Sequence, residues 1–239
     1  MEVISDREHI LLAVIDRLRI VRATDAAWLA GYTDYTYCRK CLRKLCGMGL
    51  LQICRDSAGS NCYYLSGRGL AVLGKQTSHT YEVSATTHHA LVVGRVCAWL
   101  RHTEGASPGE LLTDSVLRSK GDKQRHRPDI VFRGCAYEVE LNHKPLSLLE
   151  KNIRDNNNYQ QQVWVAPDNR PSIAKNLNNC AQRVGVRIQT ISLAEIEKQV
   201  ATANIHKNKR DTGTWDEIES VVSMPATHSM SKYTSYFKK

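Results

Sequence analysis

The chain opens on Ser5-Asp-Arg-Glu8, which has the form of a capping box. Ile10, Leu11, Val14, Ile15 and Leu18 then recur with helical spacing and predict a first amphipathic helix. Thr24 and Asp25 can start a second, short helix, DAAWLAGY, closed near Gly31. A third runs from about Asp34 to Met48, with Cys38, Cys41, Leu42, Leu45 and Met48 as its apolar stripe. On its other side stand Tyr37, Arg39, Lys40, Arg43 and Lys44, with no acid among them. The pattern then changes to strands: Leu50 to Cys54, a polar turn from Arg55 to Asn61, and a returning strand from Cys62 to Leu65.

After Gly74 the polar stretch KQTSHTYEVSATT reads as a linker. HHALVVGRVCAWLRH predicts a helix, GASPG a break and ELLTDSVLRS a short element. RPDIVFRGCAYEVEL predicts two strands joined at Arg133-Gly134, and Pro145 and Ser147 open the helix SLLEKNIRDNNNY. A strand (VWVAP), a helix (PSIAKNLNNCAQRVG), a strand (VRIQTIS) and a helix (LAEIEKQVA) follow. This order predicts a mixed sheet covered by helices, and an α+β chain overall. The expected organisation is a first domain at 1–75, a linker at 76–86, a second domain at 87–201 and a polar, basic, mobile tail at 202–239.

At 239 residues the chain has room for two small domains, and its 42% hydrophobic and 24% charged content is that of a globular protein. The net charge of +9 favours a polyanionic partner, because each neutralised phosphate releases counterions. No apolar run approaches the ~20 residues that span a bilayer, and MEVISDREH has no secretory pattern. The eight cysteines mostly interrupt apolar patterns, as reduced core thiols do in a cytosolic protein, so a cytoplasmic location is expected. Cys38 and Cys41 have metal-ligand spacing but lie on a predicted helix with no matching second pair, so buried thiols are expected over structural zinc. His88-His89 begins a helix, where neutral histidines cap or pack.

The chemistry lies in Arg127-Pro128-Asp129 and Glu138-Val139-Glu140. Side chains alternate along a strand, so Glu138 and Glu140 point one way and Val139 the other. In a hairpin, Asp129 approaches them at the sheet end. Converging carboxylates repel unless a hard cation neutralises them, and Mg²⁺ or Mn²⁺ takes a few carboxylates with water and phosphate oxygens. The basic run from Lys120 to Arg127, with Lys123, Arg125 and Arg127, suits the phosphates of a nucleic acid strand.

Three helices followed by a hairpin resemble a winged helix-turn-helix, and GLLQICRDSAGSNCYYLSGRGLAVLG looks like that family's hairpin and closing helix. The resemblance implies a third helix in the DNA major groove and a wing on the backbone. It makes Tyr37, Arg39, Lys40, Arg43 and Lys44 DNA-contact candidates, with Arg55 on the wing. The alternative reading of the same face is a solvated charged surface or a protein contact.

Pro128-Asp129 and Glu138-x-Glu140 resemble the PD-(D/E)xK nuclease superfamily, which has a restriction-endonuclease-like fold. The family's lysine, two residues after the second acid, is Glu140 here. Lys144 or Lys151 is the replacement candidate, or Glu140 serves as a third ligand. Taken whole, residues 1 to about 200 are similar to the plasmid replication-relaxation proteins, and most to MobC-type mobilization relaxases, on RPDIVF…YEVEL…K…Y. That resemblance implies nicking of one strand at a plasmid transfer origin, with an accessory mobilization or coupling protein as a further partner. It adds Asp114 as a fourth acid, with Glu110 as the alternative. A metal-activated water is the expected nucleophile, and a covalent Tyr159 the competing one. Two other functions fit the pattern: a non-catalytic DNA-binding regulator on a decayed nuclease fold, and a restriction or transposon-end nuclease.

Overall fold

The computed structural model describes residues 3–76, 80–119 and 126–202. The chain is a mixed α+β protein that divides into two compact units between Gly94 and Arg95.

In the first unit, α1 (Asp6–Leu18) starts on the complete capping box: the Ser5 hydroxyl accepts from Glu8 N–H, and Glu8 accepts from Ser5 N–H at 2.8 Å. Ile20–Arg22 form β1, and Ala23–Leu29 form α2. α3 (Tyr35–Gly47) is capped by Asp34, whose carboxylate accepts from Thr36 N–H at 2.7 Å. β2 (Leu51–Arg55) and β3 (Asn61–Leu65) make the hairpin, and α4 (Gly67–Val72) follows. The strands form an antiparallel sheet in the order β1-β3-β2. β1 was not legible in the sequence because three residues between two helices carry no periodicity. Leu11, Leu12, Ile15, Ile20, Leu42 and Leu45 are fully buried and form the core.

α5 (Thr87–Glu104) crosses the division between the units. The division therefore lies inside a helix and not in the polar stretch 76–86. Leu91 explains it: this α5 side chain packs with Ile20 and Cys62 in the core of the first unit.

The second unit holds β4 (Leu112–Thr113), α6 (Asp114–Ser119), β5 (Ile130–Phe132), β6 (Cys135–Val139), α7 (Leu146–Asp155), β7 (Gln161–Ala166), α8 (Pro171–Val184), β8 (Gln189–Ser192) and α9 (Leu193–Thr202). Its sheet runs β4-β5-β6-β7-β8, antiparallel from β4 to β6 and parallel from β6 to β8. Arg133 and Gly134 turn β5 into β6 with φ of 47° and 77°, the left-handed pair that a two-residue hairpin requires. On one face Trp164 and Ala166 pack with Leu149 and Ile153 of α7 and with Ile173 and Leu177 of α8. Glu138 is paired in register with Trp164, so it points to this same face.

Candidate functional site

β5 and β6 bring Asp129 and Glu138 together. Ile130 pairs with Tyr137, which places the preceding Asp129 opposite Glu138 at the end of the ladder. Asp129 turns one oxygen onto the backbone, accepting from Val139 N–H at 2.8 Å. Glu138 is buried, and its Oε1 takes two partners: His126 Nε2 at 2.5 Å and Asn156 Nδ2 at 2.7 Å. Burial raises the Glu138 pKa and the charge of Asp129 adds to that, while His126 and Asn156 oppose it; the net direction is upward. Burial alone would depress His126, but the bond to Glu138 and the charges of Glu138, Asp129 and Asp155 leave it raised.

No sequence motif marks His126, Asn156 or Asp155. His126 was legible only as one member of a basic run, and Asn156 as one of three consecutive asparagines. Their roles follow from tertiary placement: α7 ends at Asp155, so Asn156 is its C-cap and reaches β6 from the covering layer. Asn156 is fully buried, and its Oδ1 accepts no hydrogen bond among the described residues.

The other predicted acids are engaged elsewhere. Glu140 is buried and continues the β6–β7 pairing, its N–H donating to Val165 C=O at 2.9 Å. Lys144 Nζ lies 2.6 Å from Glu140 Oε2, an ion pair. Asp114 touches the site through its backbone, donating N–H to Asp129 C=O at 3.2 Å. Its carboxylate is held by Arg127 and by Arg118, each at 2.8 Å. Arg127 is thus committed to Asp114, and Lys151 to Asp155 at 2.8 Å. Glu110 pairs with Arg133 at 3.4 Å. Tyr159 is half-buried in the turn between α7 and β7, where its N–H donates to Asn156 C=O at 3.1 Å. Lys123, Arg125 and the tail from 203 onward lie outside the described residues.

Among the described residues no three His, Cys, Asp or Glu side chains gather as metal ligands. Asp129 and Glu138 are the residues that could hold a hard divalent cation. Mg²⁺ takes one or two carboxylates and completes its shell with water and phosphate oxygens, and a cation there would offset the Asp129 charge that adds to burial in raising Glu138.

In the first unit, α3 presents Tyr37, Arg39, Lys40 and Arg43 to solvent. Tyr37 is 45% exposed, and Arg39 lies over the Tyr35 ring at 5.8 Å. Lys44, expected on the same face, reaches back to the Glu8 carboxylate at 2.9 Å and to Val3 C=O at 3.4 Å. Arg55 is exposed at the end of β2. Beside it Asp56 accepts from Ala58 N–H, Ser60 N–H and Arg22 Nε, which ties the turn down. Burial works against its ionisation, and these donors together still leave its pKa lowered. All eight cysteines are free thiols, and Cys38 and Cys41 are buried in the α3 stripe.

Comparison of the chain with protein-family models, with curated proteins and with solved structures finds no match. No helix among the described residues is long and apolar enough to cross a membrane.

Proposed function

We propose that the chain is a DNA-processing protein, with a winged-helix reader in its first unit and a metal-dependent strand-nicking nuclease of restriction-endonuclease-like fold in its second. The substrate is a plasmid transfer origin, and the activity is that of a mobilization relaxase. The observation that carries this reading is the placement of Asp129 opposite Glu138 on adjoining strands, where their like charges act on each other. Mg²⁺ or Mn²⁺ held by that pair would polarise a phosphate oxygen and lower the pKa of a bound water. The protein's own share is to hold the carboxylates: Val139 N–H fixes Asp129, and Asn156 and His126 fix Glu138. The exposed α3 cations and Arg55 supply the phosphate contacts that position the duplex.

A second reading, a non-catalytic DNA-binding regulator on a decayed nuclease fold, is favoured by one observation. Lys144 is spent on Glu140, the residue that stands where the nuclease motif has its lysine. Supercoiled plasmid carrying the cognate origin separates the two. Open circles formed with Mg²⁺ or Mn²⁺ and suppressed by chelator support the relaxase. Gel retardation without cleavage supports the regulator, and linear product a double-strand nuclease.

A further inference from the structure

The β2–β3 hairpin places two cysteines directly across from each other: Cys54 and Cys62 are register partners. The phase of the ladder is fixed by its ends, where Asp56 N–H donates to Ser60 C=O and Ser66 N–H to Leu50 C=O, each at 3.0 Å. Hydrogen-bonded pairs alternate with non-bonded ones, so positions 54 and 62 form a hydrogen-bonded pair. Such pairs have Cα atoms about 5.5 Å apart, inside the roughly 4.4–6.8 Å window of disulfides, and side chains on one face. Their Cβ atoms stand wider than the roughly 3.5–4.5 Å of a bridge, so closure draws the two positions together and leaves a readily reduced bond. Burial, the Asp56 charge and then Cys54 together push the Cys62 thiol up to about 11. Cys62 is fully buried, held by a contact from its Sγ to Ser60 C=O at 3.6 Å, while Cys54 is half-buried and reachable from solvent.

We propose that Cys54 and Cys62 are a disulfide site, which a small-molecule disulfide closes into a cross-strand bridge that fixes the hairpin carrying Arg55. The more exposed Cys54 gives up its proton, and its thiolate attacks the small disulfide, forming a mixed disulfide and releasing one thiolate that takes up a proton. Cys62 then loses its proton and attacks the Cys54 sulfur, releasing the second small thiol. The protein loses two hydrogens as the co-reactant gains two. The raised thiol of Cys62 makes this closure slow at neutral pH and faster as pH rises, as the thiolate is the nucleophile. This inference does not depend on the nuclease reading.

Tryptic mapping of the full chain after exposure to oxidised glutathione tests it. Trypsin cuts after Lys44, Arg55 and Arg68, so the bridge joins fragment 45–55 to fragment 56–68. The expected product is that pair at two hydrogens below the sum of the free peptides, linked through Cys54 in fragmentation spectra and separated by reductant. Cys54→Ser, at the half-buried position, is expected to abolish it. Where Cys62→Ser fails to fold, Cys62→Ala serves as the apolar replacement. The proposal is overturned if both thiols stay free while the urea-unfolded chain oxidises. It is also overturned if Cys54 keeps a glutathione adduct without closure, or if the link runs through Cys46 and persists in Cys54→Ser.

Discussion

His126 Nε2 lies 2.5 Å from Glu138 Oε1, joining the residue two places ahead of Pro128-Asp129 to the second acid of the same motif. The folded chain therefore holds a proton on His126 that the unfolded chain releases above its ordinary value of 6.5. Stability from this source is complete below pH 6.5 and is lost as pH rises through the raised folded-state value. Glu138, raised by burial, acts in the same direction from 4.5 upward. The thermal midpoint of the second unit is expected to fall with rising pH above 6.5, and His126→Gln to flatten that limb. An unchanged slope in His126→Gln would place its source elsewhere.

Asp129→Asn and Glu138→Gln each keep the side-chain shape and remove the charge that a cation needs. Nicking is expected to fall by about two orders of magnitude or more, the scale on which a preorganised electrostatic group acts. Gel retardation by the same variants is expected to match the parent, because the α3 face belongs to the other unit. Retained nicking in either variant would remove the pair from the chemistry.

On α3, Arg39, Lys40 and Arg43 are the cations the proposed DNA contact would use, while Lys44 pairs with Glu8. Arg39→Ala, Lys40→Ala and Arg43→Ala are each expected to weaken DNA binding and to reduce the slope of log K against log salt by about 1. Lys44→Ala is expected to leave that slope alone and to cost about 1 kcal/mol of stability, because it strips a partner from the buried Glu8. A Lys44→Ala salt slope lowered as far as that of Arg43→Ala would return Lys44 to the DNA face.

How much of this was legible depends on whether the signal is local. The Ser5 capping box, the Asp34 cap and the Arg133-Gly134 turn are short-range devices written in adjacent residues, and their elements fall within a few positions of expectation. The facing of Asp129 and Glu138 follows from strand alternation plus one turn. The partners of the other charges do not. Lys44 and Glu8 are 36 positions apart, and Glu138 and Asn156 are 18. No periodicity encodes such pairings, so the basic stripe reads as open until packing gives Lys44 to Glu8 and Arg127 to Asp114, whereas Glu140–Lys144 and Asp114–Arg118 have an i, i+4 spacing that lies in adjacent sequence. The division inside α5 was hidden for the same reason, since Leu91 reads as core without saying whose core.

Gly69 of α4 lies against the backbone of Leu50, just ahead of β2. A Cβ built there meets Leu50 C=O oxygen at 2.2 Å and Leu65 Cδ2 at 3.0 Å. Leu50 C=O is also the acceptor for Ser66 N–H and Ser66 Oγ, so the backbone atom in the way is pinned. Gly69→Ala is expected to destabilise the first unit by about 2 kcal/mol or more, the upper part of the range for overpacking. Urea unfolding of Gly69→Ala beside Gly47→Ala, a helical position without positive φ where a Cβ meets nothing, measures it. Equal losses would show that the cost is not steric.

The Glu140–Lys144 pair allows stability and catalysis to be separated. Glu140 is 2% exposed, and Lys144 pairs with it at 2.6 Å. Lys144→Met keeps most of the stem and leaves the carboxylate buried without its cation. Because the lysine side chain is 38% exposed and partly screened by water, the loss is expected to be about 2–3 kcal/mol, below that of a fully buried pair. Glu140→Gln removes the stranded charge, so Lys144→Met combined with Glu140→Gln is expected to be more stable than Lys144→Met alone. If Lys144 supplies the basic group of the nuclease, nicking stays lost by about 100-fold or more in the stabilised double variant. Nicking that returns with stability would assign the pair to the fold and leave the chemistry to Asp129 and Glu138.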